Sequence, residues 1–219
     1  MEEIDTFVQF KHPANILICG PSHVGKTVFV KQIVQHVNRL FHPEIKEIIW
    51  CCATRPPWWA EFAHKVTFVT EIPDPDSLDP SVPRLLIFDD WMGSSTEINR
   101  LISKYFTKFG HHTNSSVIHI VQSVFNNADK YHRIVSVNAH YLVIFRNLRD
   151  QNQIRILGSQ LFPKNQGFFD SVLRDVTRNN PYGYLLVDLK PDTSPLIRLR
   201  TDIFPTSRTI AYLPPVALR

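Results

Sequence analysis

The amino-acid sequence predicts an α/β domain in which helices cover both faces of a mainly parallel β-sheet. Short apolar runs typical of buried strands alternate with longer segments of helical apolar spacing. The first run, Asn15–Cys19, is apolar almost throughout, as expected of a strand that is buried on both faces. The composition is that of a globular chain, with 43% hydrophobic and 20% charged residues.

Each further element follows from the same patterns. The helix after the first strand is indicated by the apolar positions Val28, Val30, Ile33, Val34, Val37 and Leu40. Other strands are expected at residues 47–52, 66–70, 85–88, 116–121 and 140–145, and other helices at 96–108, 151–161 and 166–178. Two β-rich runs, 184–189 and 196–203, predict a C-terminal antiparallel β-hairpin. Residues 1–204 are therefore expected to form one domain, followed by an irregular tail at 205–219.

A phosphate-binding motif lies between the first strand and its helix. The run Gly-Pro-Ser-His-Val-Gly-Lys-Thr matches G-x-x-x-x-G-K-[ST], whose backbone N–H groups surround phosphate oxygens at a helix N-terminus. Lys26 is expected to contact the β and γ phosphates of ATP, and the Thr27 hydroxyl to ligate Mg²⁺. The predicted nucleotide-binding residues are Gly20, Pro21, Ser22, His23, Val24, Gly25, Lys26, Thr27 and Val28. The motif predicts a P-loop nucleoside triphosphatase.

Two later strands end in side chains suited to hydrolysis. The run Leu-Leu-Ile-Phe ends in Asp89 and Asp90, at the strand edge where α/β proteins collect ligands. We expect Asp89 to hold Mg²⁺ through a water molecule and Asp90 to act as the general base. Gln122 ends the strand at 116–121, where additional-strand ATPases place a polar residue against the γ-phosphate or the attacking water. A strand-end amide that bonds to the backbone is the alternative.

Other interpretations of these motifs are weaker. Asn147-Leu148-Arg149-Asp150 lies where a GTPase would carry N-K-x-D, but Leu148 replaces the lysine that would pack on guanine. No arginine-rich insertion of the kind found in small-molecule kinases follows the acidic strand. The adjacent histidines at 111 and 112 lack the spacing of metal ligands.

Composition and charge indicate where the protein is located and which kind of partner it could bind. The three cysteines lie in apolar runs, which indicates reduced core thiols, and no apolar run approaches the length of a membrane span. We therefore expect an intracellular protein that is neither secreted nor inserted in a membrane. Residues 1–110 carry 11 Lys and Arg against 13 Asp and Glu, whereas residues 111–219 carry 13 against 7. A polyanionic partner or an ordinary solvated surface would both fit this asymmetry.

The motifs together resemble a known group of viral enzymes. GPSHVGKTVFVKQIV, LLIFDD, FGHHTNSSVIHIVQSVF, VNAHYLVIFRNLRD and YGYLLVDLKP occur in the order and spacing of genome-packaging ATPases of the FtsK–HerA superfamily. The similarity is to the type found in poxviruses, other large DNA viruses, Maverick/Polinton elements and adintoviruses, and it covers residues 10–204. It implies a RecA-like, additional-strand fold and an ATP-driven ring of identical subunits. Such a ring translocates double-stranded DNA into a capsid, with viral capsid proteins as partners. The implied location is the host nucleus, a cytoplasmic virus factory or the virion.

The resemblance also implies roles for particular residues. Lys26 and Thr27 match the phosphate and Mg²⁺ positions, Asp89 and Asp90 the acidic pair, and Gln122 the sensor. Arg149, or alternatively Arg146, is the candidate for an arginine supplied to a neighbouring subunit's nucleotide; an intrachain ion pair between Arg149 and Asp150 is the other interpretation. Asp90 stands where many relatives have Glu, and Ser123-Val124 replace the usual Asn-Leu. Another DNA translocase or helicase, or a regulatory nucleotide switch, are the alternative functions.

Overall fold

The computed structural model of the protein describes residues 9–89, 91, 95–124 and 130–215. The strands are β1 (Phe10–Lys11), β2 (Asn15–Cys19), β3 (Phe41–His42), β4 (Glu47–Cys52), β5 (Thr67–Val69), β6 (Arg84–Asp89), β7 (Ser115–Val121), β8 (Tyr141–Phe145), β9 (Tyr184–Asp188), β10 (Leu199–Thr201) and β11 (Ile210–Tyr212). The helices are α1 (Lys26–Gln35), α2 (Val37–Leu40), α3 (Thr96–Lys104), α4 (Gly110–His112), α5 (Lys130–Val137), α6 (Gln151–Leu161) and α7 (Gln166–Arg178). A π-helical turn, Tyr105–Phe109, joins α3 to α4.

Among the described residues, nine strands form one sheet in the order β11-β10-β9-β8-β2-β7-β6-β4-β5. The pairings from β8 through β5 are parallel, whereas β9, β10 and β11 are antiparallel to their neighbours. Strand β7 lies between β2 and β6, which is the additional-strand arrangement. The predicted fold class, a mainly parallel α/β sheet with a C-terminal antiparallel hairpin, is confirmed.

The alternation of side chains along the strands divides the core into two layers. Ile16 and Ile18 of β2 belong to one hydrophobic cluster, and Leu17 and Cys19 belong to the other. The first cluster includes the buried face of α1, and the second includes buried residues of α3, α5, α6 and α7. Because both faces of the central strands are covered, these strands are apolar almost continuously, as the sequence indicated. The molecule therefore has three layers.

The structure differs from the sequence analysis at several places. The tail predicted to be irregular from residue 205 contains β11, because Ile210–Tyr212 pairs in antiparallel register with β10. The predicted strand at 196–203 is shorter, since a 3₁₀ turn (Pro195–Ile197) precedes β10. Helix α5 and the small parallel pair β1–β3 were not predicted. Within the described ranges, no helix combines the length and apolar character that a membrane-spanning segment needs.

Candidate functional site

The phosphate loop turns from β2 into α1 with its backbone in an anion-binding conformation. His23 and Gly25 have positive φ values of 65° and 100°, and Gly25 is the N-cap of α1. Left-handed residues of this kind turn successive N–H groups toward a common centre, and the α1 N-terminus adds a favourable dipole. The Lys26 ammonium donates hydrogen bonds to the carbonyl oxygens of Gly20 at 2.6 Å and Pro21 at 2.7 Å. The cationic group is thus held over the loop.

The phosphate loop packs closely against the end of β8. A Cβ atom on Gly20 would lie 2.7 Å from Cβ of Phe145 and 3.0 Å from a methyl carbon of Val24. Phe145 is buried and its Cβ is fixed to the β8 backbone, so it has little freedom to move away. Glycine at position 20 is therefore required by this close approach, in addition to its place in the motif.

The carboxylate of Asp89 lies at the end of β6 and is oriented by a buried tryptophan. The Trp50 indole N–H donates a hydrogen bond to Asp89 Oδ2 at 3.3 Å. Trp50 is fully buried in β4, and its ring packs edge-on against Trp58, with 5.0 Å between ring centroids. A hydrogen bond to a carboxylate from a buried donor restricts the orientation of that carboxylate. The sequence analysis missed Trp50, although it predicted the strand at residues 47–52, which the structure pairs with β6.

A cavity of about 370 Å³ brings the predicted residues from three strand ends together. Lys26 and Thr27 of the loop, Asp89 of β6 and Gln122 after β7 all line it. The other lining residues are Ser22, His23, Cys52, Ala53, Thr54, Pro56, Trp58, Ile120 and Val121. Asp90, the predicted general base, lies outside the described residues. Gln122 is exposed, and its amide makes no hydrogen bond to any residue that the structure describes, so the strand-end alternative is not observed.

The donors in this cavity suit Mg²⁺ bound together with phosphate. Mg²⁺ takes oxygen ligands and is usually held by one or two carboxylates together with substrate phosphates. The Thr27 hydroxyl and the Asp89 carboxylate supply such oxygens. No group of three His, Cys, Asp or Glu side chains that could hold a metal occurs within the described ranges. These two protein oxygens leave coordination positions for oxygens of a nucleotide and for water molecules, which Mg²⁺ usually retains.

Buried titratable groups near the site remain uncharged at neutral pH. Burial raises the pKa of the Cys19 thiol to about 12 and lowers the pKa of His119 to about 4. The three cysteines are buried and unpaired, in accordance with their interpretation as core thiols.

Arg149 lies on the surface and does not line the cavity. Its backbone N–H donates to the side-chain oxygen of Asn147 at 3.0 Å, and the Asn147 amide donates to Asp150 Oδ2 at 3.0 Å. Within the described part of the chain, neither Arg149 nor Arg146 forms an ion pair within 4.0 Å. The alternative pairing of Arg149 with Asp150 is therefore not observed.

A larger cavity, of about 790 Å³, adjoins the same loop. It shares His23, Lys26 and Thr27 with the first cavity but contains neither Asp89 nor Gln122. Its remaining walls come from α1 and from the C-terminal region, including Tyr182, Tyr184 and Asp202.

Solved structures of one viral enzyme are similar in fold. The genome packaging NTPase B204 from Sulfolobus turreted icosahedral virus 2, in complex with sulfate, superposes with a TM-score of 0.50 at 14% sequence identity. The match covers 84% of this chain and 95% of that one. The complex of the same enzyme with ATP-gammaS gives a TM-score of 0.47 at 13% identity, covering 83% and 95%. No protein-family model matches the sequence, and no curated protein matches it. At this identity the likeness concerns the fold.

The approach of Gly20 to Phe145 generates a stability prediction. Gly20→Ala should lower the free energy of unfolding by about 1–3 kcal/mol, because the added methyl group overpacks a site that cannot relax. Gly167→Ala is the matched control, since a Cβ there meets nothing within 4 Å and lies in the first turn of α7. That variant should be unchanged or more stable by up to about 1 kcal/mol. Urea unfolding measures both, and a Gly20→Ala protein as stable as the parent would contradict the packing argument.

Proposed function

We propose that this chain is an ATP-hydrolysing motor that translocates double-stranded DNA into a viral capsid. The observation that carries the proposal is the cavity in which the phosphate loop, Asp89 and Gln122 meet at the ends of three adjacent parallel strands. A cationic loop, a carboxylate and an amide around one space are the groups that phosphoryl transfer requires, because its catalysis depends on positioning and on charge stabilisation.

The phosphate loop binds and orients the triphosphate. The Lys26 ammonium donates hydrogen bonds to the carbonyl oxygens of Gly20 and Pro21. With ATP present, the same ammonium neutralises oxygens of the β and γ phosphates, and the loop N–H groups bind the remaining oxygens. The phosphate oxygens thus bind an ammonium group that the loop already holds in position.

Thr27 and Asp89 would hold Mg²⁺ at the γ-phosphate end of the nucleotide. When bound, Mg²⁺ neutralises charge that develops on the phosphate oxygens. The indole N–H of Trp50 restricts the orientation of the Asp89 carboxylate through its hydrogen bond. Outer hydrogen bonds of this kind raise metal affinity by holding a ligand in its binding orientation.

Gln122 and Asp90 are assigned to the attacking water. Gln122 lines the same cavity as Lys26 and has an unengaged amide among the described residues, so it can orient a water molecule or contact the γ-phosphate. Asp90 follows Asp89 directly and accepts the proton of that water as general base. Aspartate reaches one methylene less far than glutamate would, so the base needs a short approach to the water.

The oligomer is proposed to be a homo-oligomeric ring in which Arg149 serves the neighbouring subunit's nucleotide. The Arg149 side chain is exposed, while its backbone is held by the Asn147 turn. A guanidinium supplied in this way stabilises transition-state charge.

DNA as substrate and the capsid as destination rest on the sequence resemblance and on charge. The fold shared with the B204 packaging NTPase supports the same class of enzyme. The excess of basic residues in the C-terminal half suits a partner with a phosphate backbone. On this proposal the protein acts inside the infected cell, in the nucleus or a cytoplasmic virus factory, or in the virion.

DNA dependence of ATP hydrolysis tests the proposed function. Double-stranded DNA should raise the steady-state rate several-fold at protein concentrations that allow assembly. The stimulation should be independent of DNA sequence and fall steeply with added salt, because phosphate contacts release counterions. Lys26→Ala supplies the background rate. Hydrolysis without DNA stimulation at any protein concentration would favour a regulatory switch, and duplex unwinding would favour a helicase.

Subunit mixing tests the role of Arg149. Arg149→Ala alone should hydrolyse ATP at a rate lower by about 10³-fold or more, because arginines supplied in trans contribute that much. Mixing it with Lys26→Ala should restore part of the activity, since each subunit supplies what the other lacks. Arg155→Ala, an exposed arginine of α6, is the matched control and should retain the parent rate. Mixtures that show no rescue, or a fully active Arg149→Ala protein, would contradict the assignment.

A further inference from the structure

The larger cavity beside the phosphate loop has walls unlike those of the Asp89 cavity. It encloses about 790 Å³, a size in the range of pockets that hold small organic ligands. Lys26 and Thr27 stand at its border with the Asp89 cavity. A nucleotide whose phosphates are bound by the loop can therefore extend into this space without leaving the protein surface.

One wall of the larger cavity is the ring of Tyr182. This side chain is 61% exposed, yet its Cδ1 lies only 3.4 Å from the position of a Cβ on Gly25. The ring thus contacts the phosphate loop at one side and leaves much of its surface open. An open aromatic surface beside a phosphate site is suited to stacking against a planar base.

The turn that carries Tyr182 is rigid. The Tyr182 backbone N–H donates to the side-chain oxygen of Asn180 at 2.9 Å, and the Gly183 N–H donates to the Asn180 carbonyl at 3.0 Å. A Cβ on Gly183 would lie 2.3 Å from the carbonyl oxygen of Val176, so the chain passes too closely to α7 to shift there. A backbone held in this way loses little conformational freedom when a ligand covers the side chain that it carries.

Packed aromatic side chains form the apolar part of the same cavity. Phe29 packs edge-on against Tyr184 and Phe204, with centroid separations of 4.5 Å and 5.1 Å. The Tyr184 hydroxyl accepts a hydrogen bond from the Ile203 N–H at 2.9 Å, which fixes the ring. Val28, one of the predicted nucleotide-binding residues, lies at the start of α1 and is 61% exposed at the edge of this cavity. The apolar surface is therefore continuous with the loop.

The larger cavity is lined by charged groups of both signs. Lys26 is the cationic group at the loop, and Asp202 is the acidic side chain among the described lining residues. The Asp202 carboxylate accepts no hydrogen bond from the residues that the structure describes. A carboxylate repels phosphate and accepts hydrogen bonds from N–H or O–H donors. The part of the cavity next to Asp202 thus suits the uncharged part of a nucleotide.

We propose that the larger cavity binds the base and ribose of the nucleotide, with Tyr182 stacked on the base and Asp202 accepting a hydrogen bond from a ribose hydroxyl or base amino group. This inference rests on the proposed nucleotide site and adds the part of the chain that recognises the nucleoside. The ligand class is a purine ribonucleoside diphosphate or triphosphate, because a two-ring base offers the larger stacking area. The phosphates then point from Tyr182 toward Asp89.

Binding of ADP and of pyrophosphate, measured by calorimetry, separates the base from the phosphates. In Tyr182→Ala the affinity for ADP should fall about tenfold or more, because a base–aromatic stack of ordinary strength is lost. The affinity for pyrophosphate should stay within twofold. Tyr182→Phe should keep the ADP affinity of the parent. Tyr212→Ala, which removes an aromatic side chain of β11 outside both cavities, should change neither affinity.

Three outcomes would overturn the inference. The first is a parent that binds ADP no more tightly than pyrophosphate, and the second is an unchanged ADP affinity in Tyr182→Ala. The third is an equal loss of ADP and pyrophosphate affinity in Tyr182→Ala, which would mean that Tyr182 only stabilises the phosphate loop at Gly25. If Tyr182→Ala does not fold, Tyr182→Leu replaces it, since leucine keeps apolar volume without a flat ring. The calorimetry measures binding and not hydrolysis, so it is independent of the test of the motor function. ADP binding that depends on Tyr182 would uphold this site even if DNA failed to stimulate ATP hydrolysis, a result that would contradict the motor function.

Discussion

The register of three parallel strands is the constraint on which the site depends. Cys19 of β2 pairs with Val121 of β7, and Phe88 of β6 pairs with His119 of β7. The three strands therefore end at nearly the same level, which brings the loop, Gln122 and Asp89 around one cavity. A slip of one residue would turn each strand's side chains to the opposite face and exchange the two halves of the core.

The phosphate loop and Asp89, at the carboxyl ends of the strands, are held in place by buried aromatic side chains. Phe145 supports the loop at Gly20, and Trp50 orients Asp89 from a position buried in the core. Such preorganisation matters because charge stabilisation is effective only when dipoles and charges are already in place as the reaction proceeds. The same loop borders two cavities of different character, one carrying a carboxylate and an amide and the other largely aromatic. On our proposal, a nucleotide would span both cavities, with its phosphates in one and its base and ribose in the other.

The sequence predicted the central sheet well because its strands are buried on both faces, as at residues 15–19 and 47–52. It also predicted that the loop, Asp89 and Gln122 would meet, since ends of parallel strands share one edge. Helix α5, with eight residues, and strand β11, with three, were missed because such short segments show too little periodicity of apolar residues. The contacts of Trp50 and Tyr182 depend on strand register and on a turn beside α7, which local patterns do not encode. The catalytic roles themselves stay predictions.

The central claim is that the phosphate loop and the acidic pair bind ATP and hydrolyse it. ATP affinity and single-turnover hydrolysis, compared among the parent, Lys26→Ala and Asp90→Asn, test it most directly. Lys26→Ala should lose both binding and hydrolysis, because it removes the cation of the phosphate site. Asp90→Asn should bind ATP with nearly the parent affinity and hydrolyse it about a hundredfold more slowly, because the amide cannot accept the proton. Hydrolysis at the parent rate in either variant would contradict the account.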